Sequence, residues 1–268
     1  MTSKLRRALI LGVGLAATAA AGCTEVGTDP DQPVSISFDT LPSPAVVYGD
    51  TLRDLMGVVV PLTAHAYNVD GDEIPDAPID YFVSDTLAVR IDTATNVLVA
   101  GTDTTKRSVT IRAQAAGIPS GTSRTLELVP SPDTMERAAG VPRDRIDTVR
   151  FADTDTAITS GQLISRVLHR ADSLDPSVLT GVRGWRVRYS VAYAGAVASP
   201  DTLLVDDANR KSVIDTTGTD GSASRRLRLR RPSAGAFPDS IVVEATAWYL
   251  GVIPGAPVRF IVLVRPNA

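Results

Sequence analysis

Trp185-Arg-Val187-Arg-Tyr189-Ser-Val191-Ala-Tyr193 alternates bulky apolar and polar residues with a period of two. Successive strand side chains point to opposite faces, so this pattern suits a strand with one buried face and one solvated face, and does not suit a helix. The same alternation recurs in Val34-Ser-Ile36-Ser-Phe38, in Ile79-Asp-Tyr81-Phe-Val83 and in Ile241-Val-Val243-Glu-Ala245-Thr-Ala247. Asp70-Gly71 and Asp220-Gly221 supply hairpin dipeptides between such runs. No window carries a convincing amphipathic helix. The 25 Asp against 5 Glu agree with this, because Asp favours turns and caps while Glu favours helix interiors. Short strands at regular spacing with turn signals between them predict an all-β chain built of β-sandwiches.

Further strands are expected over Val58–Tyr67, with a bulge or edge position at Pro61, and over Ala88–Asp92, Asn96–Ala100, Val109–Ala115 and Arg124–Val129. Residues 131–145 hold prolines and little β-propensity, and they read as a linker. Leu203–Val205, Ser212–Asp215, Ala223–Arg231 and Val258–Val264 continue a second strand-rich block. The expected organisation is a first sandwich over 34–130, the linker, and a second sandwich over 146–268.

Ahead of both lies an apolar run, Ala8 to Ala21, preceded by Lys4, Arg6 and Arg7 and followed by Gly22 and the chain's single cysteine, Cys23. The run is too short to cross a bilayer as a mature helix, and its layout is that of a secretory signal over residues 1–22. Ala20-Ala21-Gly22-Cys23 resembles the lipobox of bacterial lipoproteins. That resemblance implies cleavage before Cys23, diacylglycerol on its sulfur, and a membrane partner reached through the lipid. Residues 23–33 read as the lipidated tether. Thr24 stands where some bacteria place an inner-membrane retention Asp, so the expected location is the cell envelope, at the outer membrane.

Loss of residues 1–22 removes three positive charges and no negative ones, taking the formal net charge from −3 to −6. A mildly acidic chain gives no reason to expect a nucleic-acid partner. With Cys23 acylated no thiol remains for a disulfide, so stability must come from packed cores.

Residues 62–117 resemble a bacterial Ig-like domain of the group-2 type, through Asp70-Gly71, Ile79-Asp80-Tyr81, Ser84 to Ile91, Val109 to Ala113 and Gly117. Tyr81 or Phe82 stands where that family usually has Trp. The second block resembles the invasin/intimin type through Gly184 to Tyr189, Thr219 to Ala223, Val243-Glu-Ala245 and Pro257 to Phe260. Together these imply tandem immunoglobulin-like β-sandwiches. The matching residues are turn and core positions, so they imply a fold and no ligand.

Candidate chemistry is sparse. Arg226, Arg228 and Arg230 fall on one face of a strand with Leu227 and Leu229 on the other, which fits a solvated face that discourages edge pairing or a patch for an anionic glycan or phosphate. Asn68-Val-Asp70-Gly71-Asp72 superficially matches a calcium loop, but the twelfth position from Asn68 is Ile79 and not an acid, so a hairpin turn is the better reading. Asp206-Asp207-Ala-Asn209 and Asp153-Thr-Asp155 leave Ca²⁺ as a minor alternative to a chain without cofactor. His65 and His169 fall in strand-like segments of different blocks, no nucleophile elbow, zinc motif or phosphate loop is present, and no enzyme is expected. Trp185, Tyr189 and Tyr193 read as core. Trp248 and Tyr249 would favour glycan binding if exposed beside Trp185, and a scaffold if buried. The expected function is a structural, adhesion or protein-interaction module, with glycan binding as the alternative.

Overall fold

The computed structural model describes residues 32–138, 141, 145–172, 174–175, 177–193, 202–230 and 238–267. The signal segment, Cys23 and nearly all of the tether lie outside the described residues. Those described form an all-β protein.

In the first half the strands are β1 (Ser35–Phe38), β2 (Ala45–Val47), β3 (Ala64–Tyr67), β4 (Ile79–Val83), β5 (Val89–Asp92), β6 (Val97–Ala100), β7 (Ser108–Ala115), β8 (Ile118–Pro119) and β9 (Arg124–Val129). One sheet has the order β2-β9-β7-β4, with β8 on β7, and faces two ribbons, β1-β3 and β5-β6. In the second half they are β10 (Thr134–Arg137), β11 (Ile146–Phe151), β12 (Ala157–Thr159), β13 (Leu163–Arg170), β14 (Leu179–Gly181), β15 (Arg186–Tyr193), β16 (Thr202–Val205), β17 (Ile214–Thr216), β18 (Ser222–Arg230), β19 (Ser240–Thr246) and β20 (Val258–Pro266). One sheet has the order β10-β13-β18-β12, with β14 on β13 and β16 on β18; the other has the order β11-β20-β19-β15-β17.

This strand order is immunoglobulin-like. Labelling β10, β13, β18 and β16 as A, B, E and D, and β15, β19 and β20 as C, F and G, recovers the two sheets of that fold. The same labels place β4, β7 and β9 as C, F and G of the first sandwich. In both halves the opening strand splits between sheets: β2 runs parallel to β9, and β11 parallel to β20.

Alternation decides what is buried. Along β15, Val187 and Tyr189 are fully enclosed beside Trp185, and Tyr189 stacks on Phe260 at 6.4 Å between ring centroids. Burial pushes the Tyr189 hydroxyl well above its ordinary pKa. It is kept satisfied by Ser165 Oγ at 2.8 Å and by donation to the Ala223 carbonyl at 2.7 Å. Along β13 an inward-facing Ser165 interrupts the apolar face of Leu163 and Val167, while Leu168 is buried on the other face.

Two expectations are corrected. Thr134–Arg137, inside the stretch read as linker, is β10 and pairs with β13, with Met135 fully buried. A single apolar residue among four, bracketed by prolines, leaves almost no alternation to detect. Within Val58–Tyr67 only Ala64–Tyr67 forms a strand, while Val58 and Val59 are exposed ahead of Pro61.

Candidate functional site

Two features stand out above ordinary sandwich packing: the seam between the halves, and the arginine face of β18.

The seam begins with the crossing from β1 to β2. Ala45 and Val47 on β2, and Val129 at the end of β9, pack into the core of the second sandwich with Trp185, Ile253 and Val258. Gly184 sits at φ +71°, where a side chain would approach Ala45 Cβ at 3.2 Å. Arg186 donates to the Pro42 carbonyl at 2.6 Å and to the Leu41 carbonyl at 3.3 Å. Arg183 pairs with Glu127 at 2.6 Å. On the other side, Gly57 lies against the backbone of Tyr249, and Tyr249 meets Trp185 edge-on at 5.8 Å. Arg53, paired with Asp50 at 3.0 Å, lies over the Tyr249 ring. Burial, reinforced by Asp50, pushes the Tyr249 hydroxyl up to about 12. The connecting residues are pinned as well: His169 Nδ1 sits 2.8 Å from Asp133 and 3.0 Å from the Ser131 carbonyl. Tyr249 is thus engaged in packing against buried Trp185, while Trp248 and Tyr249 are themselves half-buried, neither the exposed pair that would favour a sugar platform nor the buried pair that would favour a scaffold.

Arg226, Arg228 and Arg230 do share the outward face of β18, opposite buried Leu227 and Leu229. Arg228 stands beside Thr159 of β12 and Leu203 of β16. Arg226 has Asp207 at 3.5 Å, whereas no carboxylate pairs with Arg228 or Arg230 among the described residues. The fourth arginine, Arg225, is different in kind: the alternation turns it inward, it is 7% exposed, and it pairs with Asp215 at 2.9 Å. Replacing Arg226, Arg228 and Arg230 together by Gln is expected to leave the melting temperature within about 3 °C of the parent, because outward substitutions of this kind cost little. A larger loss would show that the face is structural.

The acidic turns are occupied by their own backbone. Asn68 Oδ1 accepts from the amides of Asp70 and Asp72 at 3.0 and 2.9 Å, and Gly71 takes φ +85°. Asp206 Oδ1 accepts from the Arg210 amide at 2.8 Å, which holds its carboxyl below the usual range. Asp155 accepts from the Ala152 amide at 2.7 Å, and Asp153 is exposed. Among the described residues no three His, Cys, Asp or Glu side chains converge as a metal site.

His65 and His169 lie in separate sandwiches. His65 Nδ1 is 2.6 Å from Glu73 and Nε2 is 3.4 Å from Asp39, and the hydrogen bond to Glu73 raises its pKa above the ordinary 6.5. A raised folded-state pKa stabilises below the unfolded value and loses that contribution as pH climbs through the folded one. The melting-temperature advantage of the parent over His65→Gln is therefore expected at pH 5.5 and absent at pH 9. An advantage independent of pH would contradict the pairing.

No protein-family model and no curated protein matches the sequence. Among solved structures the chain is similar to FdeC, an Escherichia coli adhesin, at 13% identity and a TM-score of 0.29, covering 85% of this chain and 65% of that one. It is similar to the D00-D0 domain of intimin at 13% identity and a TM-score of 0.23, covering 84% of this chain and 98% of that one. It is also similar to an endo-fucoidan hydrolase of glycoside hydrolase family 107, at 12% identity and a TM-score of 0.31, covering 87% of this chain and 34% of that one. The chain thus spans just under two thirds of the adhesin chain and about a third of the hydrolase. Likeness at this level carries no functional argument, and the immunoglobulin-like fold stands on the strand order.

Proposed function

We propose that this chain is a non-enzymatic envelope lipoprotein in which an acylated Cys23 holds a stiff pair of immunoglobulin-like sandwiches away from the membrane, as a spacer or adhesion module. The observation that supports it best is the seam, where one apolar core draws on both halves. Interfaces between domains of one chain are ordinarily smaller and more polar, and they permit relative motion. A core shared across the junction suits a part that transmits position rather than one that closes on a substrate. Around the same seam Met56, Val58, Leu250 and Val252 are exposed, aliphatic surface that suits contact with another protein. The finer family types, group-2 for the first half and invasin/intimin for the second, belong to this proposal, as does outer-membrane placement.

Mass spectrometry of the mature N-terminus tests the anchor. The expected product starts at Cys23 and carries two or three acyl chains, enough for stable anchoring at roughly 0.8 kcal/mol per buried CH₂. An intact Met1, or an unmodified Cys23, would remove the lipoprotein reading.

Arg228 and Arg230, lacking acidic partners among the described residues, favour one second reading, an anionic-glycan surface on β18. On that reading the triple Gln variant loses retention on an anionic polysaccharide column at low ionic strength, where the parent is retained. Equal elution of the two would end it.

A further inference from the structure

The crossing from β1 to β2 runs through Asp39-Thr-Leu-Pro-Ser-Pro44, a stretch whose two prolines have no amide hydrogen and whose carbonyls need donors from elsewhere. The Glu127 amide serves the Pro44 carbonyl, and two arginines serve those of Asp39, Leu41 and Pro42. Arg124 of β9 donates through Nε to the Asp39 carbonyl at 2.9 Å and through Nη2 to the Phe38 carbonyl. Arg186 of β15 holds the Leu41 and Pro42 carbonyls from the other sandwich. A guanidinium has five N–H donors, and among the described residues no acceptor takes those of Arg124 Nη1 or Arg186 Nε.

Neither arginine has a carboxylate within ion-pair distance among the described residues, in contrast to Arg53, Arg137, Arg183 and Arg225. Burial alone weighs against the Arg186 cation and lowers its pKa. Both arginines line one open cleft of about 190 Å³ at the seam, together with Thr40, Leu41, Pro44 and Thr125. Thr40 and Thr125 are exposed, and among the described residues neither hydroxyl has another partner. Since a water's share of liquid volume is about 30 Å³, the cleft has room for a multi-atom group.

We propose that this inter-sandwich cleft binds an oxyanionic group of the carboxylate or sulfate type, gripped by Arg124 from the first half and Arg186 from the second, with the hydroxyls of Thr40 and Thr125 completing the shell. The planar guanidinium fork suits such groups, and two forks with unspent donors outweigh carbonyls as partners because the bonds they make to an anion are charge-assisted. A ligand here touches both halves, so it also tightens the seam.

Calorimetric titration of the folded chain tests this, with sodium sulfate in one arm and sodium glucuronate in the other, chloride holding ionic strength constant. A saturable one-site curve is expected with at least one of the two, and the tighter arm tells tetrahedral from planar recognition. The site is expected to survive in the triple Gln variant of Arg226, Arg228 and Arg230, and to weaken at least tenfold in Arg124→Gln. Because Arg124→Gln also removes two structural hydrogen bonds, Thr125→Glu provides the second variant. It sits at an exposed position, keeps both arginines, and places a carboxylate in the cleft, so it too should weaken binding at least tenfold. A non-saturable response to both anions would overturn the proposal. Unchanged affinity in Thr125→Glu, or equal weakening in the triple variant, would do the same.

Discussion

Gly57→Ala is expected to lower the melting temperature by roughly 6–12 °C and to split a single unfolding transition into two. Gly57 holds φ +79°, a conformation costing a residue with a Cβ about 1–2 kcal/mol. A Cβ there would also lie 2.2 Å from the Tyr249 carbonyl oxygen, backbone that has no flexible end to swing aside. The two strains fall on one contact, so the segment around Gly57 must withdraw from the second sandwich. Withdrawal loosens Tyr249 from Trp185 and Arg53, and the shared core is opened along that side. About 3 kcal/mol is the combined scale, within the range for strain at a special backbone conformation joined to overpacking. Differential scanning calorimetry reads both effects. A variant that keeps one transition within 2 °C of the parent would show that the seam at Gly57 holds nothing together.

Arg225→Ala is expected to cost about 3–4 kcal/mol, read from urea unfolding. The guanidinium pairs with Asp215 and also donates to the carbonyls of Ser212, Ile214 and Ser224 and to Ser212 Oγ. Alanine leaves these acceptors without their donor and empties a buried volume between β17 and β18. Asp215, still taking the Ser224 amide at 2.7 Å and partly exposed, recovers some hydration, which keeps the loss near the lower end for a broken buried pair. Arg225→Met restores volume but no donors, and a loss of about half as much is expected. A loss below 1 kcal/mol for Arg225→Ala would mean that water replaces the guanidinium without penalty.

How far the sequence revealed this follows from where alternation was clean. Trp185, Val187 and Tyr189 announced both the strand and its buried face, and the paired Asp-Gly turns marked where strands reverse. The same rule that places Leu227 and Leu229 inside also places Arg225 inside, so its burial was legible, but a basic run draws attention to charge before register. The strand-like segment around His169 was legible, but the extent of β13 was blurred by Ser165, whose inward hydroxyl makes sense only once Tyr189 is seen opposite it. β10 was hidden by its shortness and its prolines. The seam was not legible at all. Ala45, Val47 and Gly57 are far in the chain from Tyr249, and a glycine's close approach to a backbone oxygen leaves no periodic trace. The cleft between Arg124 and Arg186 is of the same kind, since 62 positions separate residues that meet only across the junction.

Whether the two sandwiches form one stiff body can be read from a spin-label distance measurement between the halves. With Cys23→Ser no native thiol remains, so labels at Ser123→Cys and Ala208→Cys, both exposed, report one inter-sandwich distance. A stiff body gives a single narrow distribution in the parent background that broadens when Gly57→Ala is added. A broad or multi-peaked distribution in the parent background would rule out the stiff body and make the seam a hinge.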